Sequence, residues 1–245
     1  MNSMAFDVMV PLKDALQSLG DDNDVRSIIL TGAGRGFCSG ADQSGEKGRM
    51  PNTAGLTPVS VALRAMTLLE EIITTLRTIP QPVIAAVNGA AIGGGLCLAM
   101  ACDIRIASDR AYFRAAGINN GLTASELGLS YLLPRAIGIT RASELMLTGR
   151  DVDAAEAERI GLVSKVAEGA DLLDSSLEIA DQIAGWSRPG IELTKRTLRS
   201  SMEAGSLEGH MQAEGLGQLF VRLMTGNFEE AVAARKEGRR PTFKD

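Results

Sequence analysis

The chain has 245 residues, 45% hydrophobic and 22% charged, so it can bury a sizeable core and reads as globular rather than disordered. Its 25 Lys plus Arg against 30 Asp plus Glu leave a formal charge of −5, which argues against broad binding to nucleic acid or to a membrane surface. A single histidine, His210, excludes His-rich metal sites, and any Ser-His-Asp triad would have to use it.

In chain order, Val8, Met9, Leu12, Leu16 and Leu19 recur at helical spacing and predict a helix over 6–19, ended by Gly20 and the acidic run after it. Residues 25–31 read as a buried strand. Residues 32–48 read as a glycine-rich loop with an extended piece at 37–38, and 44–58 as mobile. A second amphipathic helix over 59–79 is stopped by Pro80 and Pro82. A strand follows from 82 and ends in a turn at Asn88-Gly89. Gly93-Gly94-Gly95 then opens a helix running to about Met100. Residues 103–107 and 111–113 predict strands, 141–148 and 154–160 helices, and 162–166 a short strand. From 171 onward the pattern is helical. The apolar stretch 83–102 is broken by Asn88 and several glycines, whereas a membrane span needs about 20 mostly apolar residues. The fold class is α/β, with a strand-and-helix core and a helical C-terminal part.

The three cysteines, Cys38, Cys97 and Cys102, are an odd and sparse set, and residues 1–12 lack a secretory pattern; both point to a reducing, cytoplasmic setting. Thr31-Gly32-Ala33-Gly34-Arg35-Gly36 imitates a dinucleotide fingerprint, but the required third glycine falls on Phe37 or Ser39. Gly36-Phe37-Cys38-Ser39-Gly40 likewise lacks the serine centring of a nucleophile elbow.

Two glycine-rich elements remain: 36–42 (GFCSGAD) and 88–97 (NGAAIGGGLC). Small residues let backbone N–H groups approach a ligand, and the second element sits at a helix start, where free amides and the dipole favour negative charge. Amides from two loops converging on one oxygen would form an oxyanion hole for an enolate.

Together with 82–108 (PVIAAVNGAAIGGGLCLAMACDIRIAS), 144–166 (ELMLTGRDVDAAEAERIGLVSKV), 225–230 and 240–243, these motifs resemble the enoyl-CoA hydratase/isomerase (crotonase) superfamily over essentially the whole chain. The resemblance implies a crotonase-like spiral of ββα units over 1–185. It also implies a helical C-terminal region, 186–245, that builds a homotrimer or homohexamer. The amides of Ala41 and Gly94 would grip the thioester oxygen of an acyl-CoA substrate. Coenzyme A would arrive as part of that substrate, with no separate cofactor and no metal. Ser39, Gly40, Ala41 and Asp42 would lie along the CoA pocket, with the capping of a turn an equal reading for Asp42. The family usually begins with a strand pair that this sequence does not show.

The sequence departs from the family at its acids. The two glutamates of the hydratases fall on Cys97 and Gly117. Cys97 could titrate near a helix start, but reads more simply as a small buried residue. Glu126 matches the carboxylate used by dienoyl-CoA isomerases and 4-chlorobenzoyl-CoA dehalogenases. It is either a proton carrier or a helix N-terminal Glu favoured by the dipole. His210 reads as a surface histidine. Arg235, Lys236, Arg239, Arg240 and Lys244 either complement a helix end or approach CoA phosphates on a neighbouring subunit. The leading reading is an enoyl-CoA hydratase-like enzyme of acyl-CoA metabolism. Two others stay open: an isomerase or other CoA-thioester enzyme using Glu126, and a non-catalytic acyl-CoA binder.

Overall fold

A computed structural model of the chain describes residues 1–42 and 50–244; of the loop expected at 44–58, residues 44–49 lie outside the described residues. The first amphipathic stretch forms α1 (Phe6–Asp21), which buries Met9 and Leu16. After β1 (Ile28–Thr31), α2 (Pro58–Thr78) starts where the Thr57 hydroxyl accepts from the Ser60 amide and Pro58 takes the first helical turn. β2 (Val83–Val87) is buried along its whole length, as a central parallel strand with both faces covered should be. β3 (Ala90–Ile92), α3 (Gly94–Ala101), β4 (Ile104–Ser108) and β5 (Tyr112–Arg114) follow. Then come α4 (Leu129–Ile137), α5 (Ile139–Thr148), β6 (Val152–Asp153), α6 (Ala154–Arg159) and β7 (Lys165–Ala167). The helices α7 (Leu172–Ala184), α8 (Arg188–Ser201), α9 (Leu207–Met224) and α10 (Asn227–Glu237) complete the order, so the helical expectation from 171 onward holds.

The strands alternate between two sheets. β1-β2-β4-β7 is parallel throughout. In β3-β5-β6, β3 and β5 run parallel and β6 antiparallel to β5. The chain therefore visits one sheet, turns, visits the other and returns through helix: β2, β3 and α3 make one circuit, and β4, β5 and the α4–α5 pair the next. This is the expected spiral of ββα units. The extended piece at 37–38 joins it, with Cys38 bridging Ala91 in parallel. α3 runs through the middle with every residue buried, packed between α2 and α4.

Three of these elements have no counterpart in the sequence reading. β3 continues the apolar run of β2 across Asn88-Gly89 without a change of period. β6 is only two residues long. α4 carries Pro134 inside it, a residue that ordinarily argues against a helix. The strand expected at 162–166 pairs only at β7, because the Leu162 and Val163 amides turn back to the Ala157 carbonyl.

The C-terminal helices are tied to the core by a buried cation. Lys195 of α8 donates to the Leu76 and Gln81 carbonyls at 3.1 and 2.9 Å and pairs with Asp103 at 2.8 Å. α9 buries no residue and exposes Leu216, Leu219, Phe220 and Leu223. Among the described residues, no helix is long and apolar enough to cross a membrane.

Candidate active site

The first glycine-rich loop is pinned from two directions. The Asn88 amide donates to the Gly32 and Gly34 carbonyls, each at 2.9 Å, and accepts from the Gly32 amide. The Asn2 side chain donates to the carbonyls of Ala33 and Gly36 at 3.0 and 2.8 Å. Further along, the Ser39 hydroxyl donates to Met1 O at 2.8 Å, the Met4 amide to Gly40 O at 2.8 Å, and the Ser3 hydroxyl to Asp42 Oδ1 at 3.3 Å.

Gly40 has φ +77°, and a Cβ there would stand 2.6 Å from Ile92 O and 3.4 Å from the Gly94 nitrogen. Only glycine allows both the left-handed backbone and this approach. The loop thus lies directly on the start of α3. Gly93 caps that helix with φ +54° and no side-chain acceptor, and its own amide is spent on Arg114 O at 2.8 Å. Among the described residues, neither the Ala41 amide nor the Gly94 amide donates to a protein acceptor. Unpaired amides of this kind, that of Gly94 in the first turn of α3 and that of Ala41 in the loop, suit a developing oxyanion. Met4 and Leu127 wall the Gly94 side: a Cβ on Gly94 would overlap the Met4 sulfur and stand 3.6 Å from Leu127 Cδ1.

Glu126 arrives from the loop before α4. It is half-buried, and burial holds its carboxyl above the ordinary glutamate range. A Cβ on Gly93 would lie 3.3 Å from Glu126 Oε1, so the carboxyl faces the start of α3. It stands outside α4, whose N-cap is Gly128 and whose first residue is Leu129. Its carbonyl accepts from the Leu129 amide at 2.8 Å and from the Cys97 thiol at 3.5 Å. Leu127 next to it has φ +45°, a strained value for a branched side chain.

Neither of the two positions to which the resemblance assigns a hydratase glutamate offers an acid. Cys97 is fully buried, and its thiol is pushed up by burial first and by the Glu126 charge second, so it stays protonated. A side chain at Gly117 would begin inside the Thr123 carbonyl, so backbone occupies that place.

The remaining candidates lie elsewhere. His210 is on α9, 3.5 Å from Glu214. Arg239 is held by Glu230 and Glu237, each at 2.6 Å. The backbone of Lys244 is latched by Asn227, whose side chain both accepts from the Lys244 amide and donates to its carbonyl. A cavity of about 410 Å³ between α8 and the far end of α3 contains none of the predicted site residues. The sequence reading missed Met4, Leu127 and the Arg114 carbonyl: a wall residue, a positive φ and a backbone acceptor leave no motif.

A family model described as enoyl-CoA hydratase/isomerase matches residues 1–245. The chain is 69% identical over 245 residues to a protein of Mycobacterium tuberculosis described as a probable enoyl-CoA hydratase, covering 100% of this chain and 86% of that one. It resembles the crystal structure of a probable enoyl-CoA hydratase/isomerase from Mycobacterium abscessus, with TM-score 0.94 and 65% identity over 99% of this chain and 90% of that one. It also resembles that of a monofunctional enoyl-CoA isomerase from M. smegmatis, with TM-score 0.72 and 62% identity over 86% and 87% of the two chains.

Proposed function

The chain belongs to the enoyl-CoA hydratase/isomerase family, and from that premise we propose that it acts on an enoyl-CoA thioester of acyl-CoA metabolism through an enolate. The Ala41 and Gly94 amides receive the thioester oxygen, and Glu126 carries the proton. Coenzyme A enters as part of the substrate, along Ser39, Gly40 and Asp42. In the reaction Glu126 takes a proton from the carbon chain, the electron pair moves onto the thioester oxygen, and the two amides hold that charge. The proton is then returned from the same carboxyl to a different carbon, and the double bond shifts with no change in composition.

One observation carries this reading: among the described residues, the carboxyl of Glu126 faces the start of α3, while Cys97 is a protonated buried thiol and Gly117 is covered by the Thr123 carbonyl. Water addition needs a second positioned group to activate the water, and neither hydratase position supplies one. Within the family's chemistry, the geometry therefore favours double-bond isomerisation over hydration. The free, buried cysteines support a cytoplasmic setting, and the bare apolar face of α9 supports assembly of the 186–245 region into a homotrimer or homohexamer.

The test is to incubate the protein separately with 3-enoyl-CoA and 2-enoyl-CoA and follow the conjugated-thioester absorbance and the product mass. The expected result is conversion of the 3-enoyl ester to the conjugated 2-enoyl ester without gain of a water. Product carrying the mass of one added water would return the reading to hydration. Binding without any conversion would make the protein a non-catalytic acyl-CoA binder.

A further inference from the structure

The loop that delivers Glu126 is held at two places, and both are positions to which the resemblance assigns a hydratase acid. At Gly117 the missing side chain leaves room for the backbone of Thr123 and Ala124 to fold down onto it. At Cys97 the thiol reaches across from the first turns of α3 to the Glu126 carbonyl, at 3.5 Å. Between these contacts and α4 lies Leu127 with φ +45°. A non-glycine residue persists in that region only where its surroundings over-determine it. The Glu126 carbonyl is bonded on two sides, by the Leu129 amide from α4 and by Cys97 from α3. Of these, the Cys97 bond is the one that registers the loop against the helix carrying Gly94. Cys97 is fully buried, so water cannot substitute for it.

We propose that Cys97 is a positioning residue for Glu126, its thiol proton donated to the Glu126 carbonyl so that the carboxyl is fixed opposite Gly93 at the start of α3. The proposal rests on the reading of Glu126 as proton carrier. Position 97 then moves no proton itself but sets where the proton carrier stands.

The test compares Cys97→Ala, Cys97→Ser and Glu126→Gln in the full chain with 3-enoyl-CoA. Cys97→Ala removes the donor and little volume; Cys97→Ser keeps a donor. For Cys97→Ala the expected result is a fall in kcat of about tenfold with KM within about twofold, since misplacement of a reacting group acts on the chemical step. The acid limb of its kcat/KM profile should move to lower pH as the freed carboxyl becomes better solvated. Cys97→Ser should restore most of kcat and the position of the acid limb. A Cys97→Ala enzyme with unchanged kcat and an unmoved acid limb overturns the proposal, as does a loss in Cys97→Ser equal to that in Cys97→Ala. If Glu126→Gln is inactive in the same series, such a failure touches the positioning role alone. Full turnover by Glu126→Gln overturns the proton-carrier reading, and the proposal with it.

Discussion

Gly95, in the first turn of α3, lies so close to Cys38 that a Cβ on it would overlap the Cys38 carbonyl oxygen. The contact joins the two glycine-rich elements one residue beyond the Gly94 amide. The obstacle is backbone, which cannot swing aside as a side-chain tip can. Gly95→Ala is therefore expected to cost about 1–3 kcal/mol of stability, as overpacking does. It should also abolish turnover by prying the Ala41 loop away from α3. Urea unfolding and an enoyl-CoA assay on the folded fraction would check both; a stable, active variant would contradict the contact.

The pH behaviour of Glu126 has two opposite signs. Burial raises its carboxyl above the ordinary value of 4.5. As a base it must be ionised, so kcat/KM should fall as pH drops through the raised value, with the acid limb above the ordinary glutamate range. Stability runs the other way. The folded protein holds that proton more tightly than the unfolded chain does, so this contribution is present below the ordinary pKa and is lost as pH rises through the raised one. Glu126→Gln should therefore melt higher than the parent at neutral pH, with the difference closing in acid, while turnover is lost and binding of the CoA ester is kept. Equal Tm values at neutral pH would remove the burial penalty from the account.

Lys195 satisfies two carbonyls and Asp103 from a side chain that is 7% exposed. Removing one partner of a buried pair leaves the other charge uncompensated, at about 3–5 kcal/mol. Because Asp103 is 29% exposed and partly solvated, Lys195→Met is expected near the lower bound, about 3 kcal/mol. Chemical denaturation measures this directly; a loss below about 1 kcal/mol would mean that water replaces the lysine.

Leu216 and Leu223 on α9 are 71% and 75% exposed. A helix with no buried residue and an apolar surface of this kind is expected to be covered by another copy of the chain. Sedimentation should give a trimer or hexamer. A Phe220→Asp, Leu223→Asp double variant should sediment as a smaller species. A monomeric parent would refute the assembly.

Much of this was legible in the sequence because its signals were local. The glycine-rich elements marked where backbone must approach backbone, and the apolar periods placed α1 and α2. The acids at hydratase positions could be seen to be missing at Cys97 and Gly117. Other features depended on tertiary contact. β3 was hidden because Ala90, Ala91 and Ile92 continue the apolar run of β2, and only the sheet change divides them. α4 was hidden by Pro134. The reason for Gly117 was invisible, since Thr123 is six residues ahead and meets it only when the loop folds back. Leu127 gave no hint of its positive φ, because nothing in a leucine asks for that conformation.

Ala41 is exposed, and in the proposed hole it serves through its amide and not its side chain, beside glycines that have no side chain to lose. Such a hole is indifferent to most sequence drift, since every residue but proline brings the same N–H. The carboxyl, by contrast, is a side chain, and a substitution can remove it or place it elsewhere. A scaffold divided in this way can acquire a new reaction without rebuilding its means of stabilising the enolate. Descent with changed chemistry then requires only that the acid be moved around a charge sink that stays in place.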